Sequence, residues 1–157
     1  MQIFIYTDGS ARGNPGPGGY GVVLEAQGKR KELSEGFRLT TNNRMELLAV
    51  IMGLKSLKSE GHEIHIVSDS KYVVDAINKR WLFSWIKKGF KDKKNVDLWK
   101  MLIPELSKHK PNFHWVKGHN EHPQNERCDT LAVEASKKEK LQVDMAYELE
   151  KSGGPLL

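Results

Sequence analysis

Disulfides, long apolar runs and an excess of acid are all missing from this chain of 157 residues. A single cysteine, Cys128, cannot close an internal disulfide, which fits a reducing cytoplasm and leaves the fold to its core. No apolar stretch approaches the roughly 20 residues needed to cross a bilayer, so no membrane partner is expected. The N-terminus lacks a basic region followed by a long apolar segment, so no secretory signal is expected either. Charged residues make up 29% and the apolar set 38%, the balance of a globular chain rather than a disordered one. At this length the expectation is one compact domain with a real hydrophobic core. Nothing in the chain demands a dimer, and a monomer is expected.

What is present is positive charge, unevenly placed. The net charge is +5. Residues 79–94 hold seven bases against one acid, Asp92, a local +6 that leaves the rest of the chain at −1. A block of this kind implies a polyanionic partner. Trp81, Phe83, Trp85 and Phe90 are interleaved with Lys87, Lys88 and Lys91. Trp81 and Trp85 share a helical face. Some of these aromatics suit a small satellite core; lysines above it would still form a salt-sensitive groove for nucleic acid.

Apolar patterning places strands at 2–8, 19–26 and, weaker and more polar, 30–38, an antiparallel meander. The run Gly13-Asn14-Pro15-Gly16-Pro17-Gly18-Gly19 reads as a tight turn. It lacks the Gly-Lys-Ser/Thr ending of a nucleotide phosphate loop, so ATP binding there is not expected. A wide apolar stripe predicts a helix over 43–59, packed on the sheet. A strand at 63–69, helices at 71–78 and 96–108, a strand at 112–116 and a helix at 123–138 opened by Pro123 follow. From Leu141 the pattern weakens into a tail expected to be partly disordered. The order predicts an α/β fold: a mixed sheet with helices on its faces. Residues 1–140 form the domain, with 141–157 as an extension.

Four acids stand in unusual settings. Asp8 closes one apolar strand and Asp69 another, and a carboxylate at a buried strand end is costly unless paired or bound to a cation. Taken singly, each has an ordinary explanation. Asp8 before Gly9 suits a turn, Asp69 suits a helix cap, and Glu46, three residues after Asn43, suits a capping box. Asp129 is harder to explain, being two turns inside its helix beside Cys128. If the strands run parallel, Asp8 and Asp69 emerge at one sheet edge. Such carboxylates repel one another unless cations neutralise them. Two bridged magnesium ions are the usual apparatus of phosphoryl transfer. His119, ten residues before Asp129, could shuttle protons. Its position alone does not favour it over His122.

The runs Tyr6-Thr7-Asp8-Gly9-Ser10, residues 13–21, Thr40-Thr41-Asn42-Asn43-Arg44-Met45-Glu46-Leu47, Ser68-Asp69-Ser70, and Val116-Lys117-Gly118-His119 followed by Asn125-Glu126-Arg127-Cys128-Asp129 resemble type 1 ribonuclease H in its bacterial form. The likeness spans about residues 1–138. It implies a ribonuclease H-like fold, a five-stranded mixed sheet flanked by helices, and endonucleolytic cleavage of the RNA strand of RNA–DNA hybrids. It implies Mg²⁺, replaceable by Mn²⁺, held by Asp8, Glu46, Asp69 and Asp129, with His119 as a mobile assistant. Asn14, Asn42 and Asn43 match positions that contact the minor groove or the RNA 2′-hydroxyls. Thr41 and Asn95 match a pocket for a DNA-strand phosphate. Residues 79–94 match a basic handle, a few residues shorter than usual. Two further departures are Lys71, where glutamine is common, and Glu121, where glycine is common. Lys71 would turn a groove hydrogen bond into a phosphate contact. Two rivals remain at this point: a hybrid-binding module without cleavage, and a related nuclease or transferase acting on DNA.

Overall fold

The computed structural model describes residues 2–118 and 122–153. Five strands form one sheet: β1 (Gln2–Ala11), β2 (Gly16–Ala26), β3 (Lys29–Thr40), β4 (Glu63–Ser68) and β5 (Lys110–Trp115). Their spatial order is β3-β2-β1-β4-β5. The first three pair antiparallel, and β1, β4 and β5 run parallel. The helices are α1 (Asn42–Lys55), α2 (Lys71–Asn78), α3 (Trp81–Lys87), α4 (Val96–Ser107), α5 (Pro123–Ser136) and α6 (Met145–Lys151). Among the described residues no helix is long and apolar enough to cross a membrane.

One sheet face buries Ile3, Ile5, Val22, Leu24, Ile64 and Ile66 against Leu47, Val50, Ile51 and Leu54 of α1. Fully burying each such side chain contributes about 1.5–3 kcal/mol, so this layer fixes the register that places the acids. Helix α5 covers the opposite face over β1, β2 and β3. Its approach requires missing side chains: a Cβ on Gly21 would overlap the Cys128 carbonyl. The same absence operates at Gly9, where a Cβ would overlap the backbone of Met45 and Glu46. Two glycines therefore bring α5 against β2 and the start of α1 against β1.

Several boundaries differ from the sequence expectation. β1 does not end at Asp8 but runs on to Ala11, because Gly18, Gly19 and Gly21 on β2 can pair with Ala11, Ser10 and Asp8. The turn proper is thus only four residues, 12–15. Helix α1 stops at Lys55 rather than at residue 59: the Ser56 hydroxyl donates to the Gly53 carbonyl, and Leu57 N–H bonds Leu54. β5 starts at Lys110 and includes Pro111, which an edge strand tolerates.

The chain beyond Leu141 is tied back onto the sheet. Gln142 exchanges backbone hydrogen bonds with Gly36 and Arg38, extending β3 outward, and α6 follows with Tyr147 buried. Asp144 is 8% exposed and pairs with Arg44, itself 2% exposed. Arg44 also forms a two-pronged pair with Asp97 at 2.7 and 2.8 Å. The anchors of residues 141–151 are few, mostly polar and long-range, and so invisible to apolar periodicity. Residues 154–157 lie outside the described set.

Candidate metal centre and nucleic-acid groove

Thr7 pairs with Ser68 at the end of the parallel β1–β4 ladder, so Asp8, the next residue of β1, and Asp69, just past β4, lie side by side. Gly9 admits the first turns of α1, bringing Glu46 to the same point. Carboxylate oxygens of Asp8, Glu46 and Asp69 all lie within 4.8 Å of one another. Asp129, on α5, is not part of that tight group, yet it lines the same cleft of about 260 Å³ with Asp8, Asp69, Lys117 and His122.

The ordinary explanations for these acids do not hold. Thr41, not Asn43, caps α1, its hydroxyl accepting from Arg44 N–H at 3.2 Å, so Glu46 lies beyond any capping box. Ser70 caps α2 and leaves Asp69 free. Asp8 sits within a strand rather than at a turn. Their shared environment is electrostatically unfavourable. Burial first, and then the charges of Asp69 and Asp129, push the Asp8 carboxyl up to about 8, although Gly9 N–H donates to it at 2.9 Å. Glu46 is also raised well above the ordinary carboxylate range, by burial and then by Asp8 and Asp69.

A divalent cation fits this donor set. Among the described residues, Glu46 Oε1 is sealed from solvent with no hydrogen-bond partner, and so is Asn125 Oδ1. An unmet buried carboxylate oxygen facing two more carboxylates is a hard, negative cradle suited to a cation with oxygen preference. Asn125 also donates through Nδ2 to the carbonyls of Thr7 and Val67, clamping β1 to β4 just behind the acids. Sequence reading gave no role to Asn125, nor to Gly9 and Gly21. Two-residue contacts between distant segments have no local signal, although Asp8-Gly9 and the glycine run were visible as motifs.

Residues expected to touch nucleic acid fall into three places. Asn14, Thr41, Asn43 and Asn95 line one depression of about 300 Å³, together with Lys94 and, from α6, Tyr147 and Lys151. Asn42 lies beside it: its Oδ1 accepts from Ala11 N–H, while Asn42 N–H donates to Asn14 Oδ1. Both amide oxygens are therefore occupied, and the NH₂ ends of Asn14 and Asn42 are left as donors. Asn95 is more constrained than expected. It accepts from Arg44 and donates to Tyr72 Oη, leaving one Nδ2–H.

Lys71 forms the second place, over the Trp115 ring at 4.8 Å, while that indole donates to the Asp69 carbonyl. The basic segment is the third. Trp85 packs edge-on against buried Trp99, with ring centres 5.4 Å apart, so it is chiefly an anchor for α3. Trp81 is 44% exposed, and Lys87, Lys88 and Lys91 are exposed beyond it. His119 and Glu121 lie outside the described residues.

Three convergent acids, one within β1, one just past β4 and one on α1, with a fourth lining the same cleft and a basic arm besides, define a metal-dependent nuclease. Residues 1–137 match the family model described as RNase H, and the chain belongs to the ribonuclease H family. It is 54% identical over 149 residues to a ribonuclease H of Desulforamulus reducens, covering 92% of this chain and 93% of that protein. Among solved structures it resembles LC9-RNase H1, a type 1 RNase H with the type 2 active-site motif. That match has a TM-score of 0.79 and 31% identity, covering 99% of this chain and 82% of that one. It also resembles LC11-RNase H1, solved in complex with RNA/DNA hybrid, with a TM-score of 0.67 and 28% identity over 92% of this chain and 99% of that one.

Proposed function

We propose that this protein is an endonuclease that hydrolyses the RNA strand of RNA–DNA hybrids, leaving 5′-phosphate and 3′-hydroxyl ends. The observation that carries this is the Asp8–Glu46–Asp69 group, with its oxygens within 4.8 Å and Glu46 Oε1 buried and unmet. Asp8, Glu46, Asp69 and Asp129 would hold two Mg²⁺ ions, with Mn²⁺ able to substitute. Bound there, such ions supply activation of the attacking water and neutralisation of the departing 3′-oxygen.

The chain's own residues do the rest. Asp8 and Asp69 are fixed by the β1–β4 ladder, and Asn125 prevents the two strands from separating. His119 serves as the proton carrier that the family likeness implies. The free NH₂ groups of Asn14 and Asn42, with Asn43 beside them, offer donors to RNA 2′-hydroxyls, the group that separates RNA from DNA. The Thr41 hydroxyl, the remaining Asn95 Nδ2–H, Lys94 and Lys151 surround a depression that suits a phosphate of the DNA strand. Lys71 and the handle lysines follow the backbone outward, with Trp81 available for stacking. Every one of these parts belongs to a single chain, so one copy suffices, and a monomer acting in the reducing cytoplasm is the simplest reading.

The test is cleavage of a labelled hybrid and of duplex DNA with Mg²⁺, with chelator, and by Asp69→Asn. Hybrid-only, metal-dependent cleavage lost in the variant is expected. Undiminished cleavage by Asp69→Asn would end the metal-ligand assignment, and equal cleavage of duplex DNA would end the substrate assignment.

A further inference from the structure

Helix α5 covers only part of its sheet face, and the β4–β5 end carries an unusual pair. His65 on β4 and His114 on β5 place Nδ1 and Nε2 2.9 Å apart. Their ring centres are 5.1 Å apart and the rings are inclined by 27°. With nitrogens so much closer than centres and rings so near coplanar, the two nitrogens lie between the rings and their in-plane lone pairs aim at one another. One proton can sit between them. A cation with a preference for imidazole can be held by both nitrogens once the exposed ring swings so that the two lone pairs converge beside the nitrogen–nitrogen line.

The surroundings prepare one ring. His65 Nε2 lies 3.7 Å from Glu63 Oε1, which favours the proton on Nε2 and leaves Nδ1 as the bare nitrogen. A carboxylate on the far side of a ligating imidazole helps to orient it. Phe4 lies flat against the other side of His65, ring centres 4.8 Å apart, and holds the ring in position. His114 is exposed on the edge strand, so its ring is free to adjust.

We propose that His65 and His114 form a second metal site, for a borderline transition ion such as Zn²⁺, separate from the acid centre. Metal–nitrogen bonds of about 2.0–2.1 Å at a tetrahedral angle put the nitrogens about 3.3–3.4 Å apart. Each metal–nitrogen bond then lies about 35° off the nitrogen–nitrogen line, so with His65 held by Phe4 the exposed His114 side chain must swing to a new orientation that turns its lone pair onto the ion. Water fills the remaining positions on the exposed side. Ligand chemistry keeps the two centres distinct: imidazole suits Zn²⁺, and carboxylate oxygen suits Mg²⁺.

Isothermal titration with Zn²⁺ in excess Mg²⁺ tests the site, read together with nitrogen chemical shifts of the histidine rings. One equivalent of Zn²⁺ is expected, with His65 Nδ1 and His114 Nε2 shifting. His65→Gln and His114→Gln each abolish that binding, whereas Glu63→Gln weakens it about tenfold and His62→Gln leaves it unchanged. Mg²⁺-dependent hybrid cleavage by the variants shows that they are folded. Zn²⁺ binding that survives both histidine substitutions, or no shift at those nitrogens, overturns the proposal.

Discussion

Gly9 lies directly against the backbone of Glu46, in a space that no Cβ can enter. That contact sets how far α1 reaches into the site, and hence where the Glu46 carboxylate sits relative to Asp8. The nearest obstacles are backbone atoms of α1, so a side chain at position 9 cannot be absorbed by rotamer change. Gly9→Ala is expected to cost about 1–3 kcal/mol of stability by overpacking. It is expected to reduce hybrid cleavage more than stability requires, with the loss in kcat. Urea unfolding and single-turnover cleavage measure the two, and a stable, fully active variant would refute the contact's role.

Asp8→Asn is expected to abolish cleavage and yet stabilise the metal-free protein at neutral to mildly alkaline pH by about 1 kcal/mol. The folded pKa of Asp8, about 8, is above its ordinary value of 3.8. Between those values the folded state holds the proton more tightly than the unfolded chain, so its stability contribution falls as pH rises. The wild-type melting temperature in chelator should therefore drop between about pH 4 and pH 8 relative to Asp8→Asn. Added Mg²⁺ should restore wild type and leave the variant largely unchanged. Parallel pH profiles for the two proteins would contradict this.

Removing Arg44 leaves Asp144 buried without its partner. Arg44→Ala is expected to cost about 3–5 kcal/mol, because an uncompensated buried charge remains. Asp97, half-buried and held below the ordinary carboxylate range by Arg44 despite its burial, should titrate higher in the variant. Denaturant unfolding and carboxyl chemical shifts follow both effects. Since Arg44 also bonds Asn95 at 3.3 Å, hybrid affinity should fall as well.

Neutralising Lys87, Lys88 and Lys91 together is expected to weaken hybrid binding and lower the slope of log affinity against log salt by about 2–3. Turnover at saturation should stay near wild type, since none of these exposed lysines lines the cleft of the acids. A large loss of turnover with an unchanged salt slope would argue against a binding handle.

Much of this was legible in the linear chain. Apolar periodicity located all five strands and the major helices, and α2 was delimited to the residue, because Ser70 and Asn78 bound a short amphipathic run. The basic block at 79–94 was likewise local. The order of the C-terminal extension was not legible, because Gln142, Asp144 and Tyr147 are held by partners about a hundred residues upstream, which leave no trace in local composition. Trp81 and Trp85 looked equivalent by spacing; only the position of Trp99 made one an anchor and left the other exposed.

The sequence by itself determined which chemistry was available: four acids in unusual settings, asparagines near a tight turn, and a localised positive block. Residue type and short-range period are properties of the chain, and they survive without a fold. Whether three of those acids converge was decided by tertiary structure alone. Convergence depends on the parallel register of β1 with β4 and on backbone approach at Gly9, contacts between segments far apart in the chain. The pairing of His65 with His114 arose in the same way, across two parallel strands whose alignment the chain does not state.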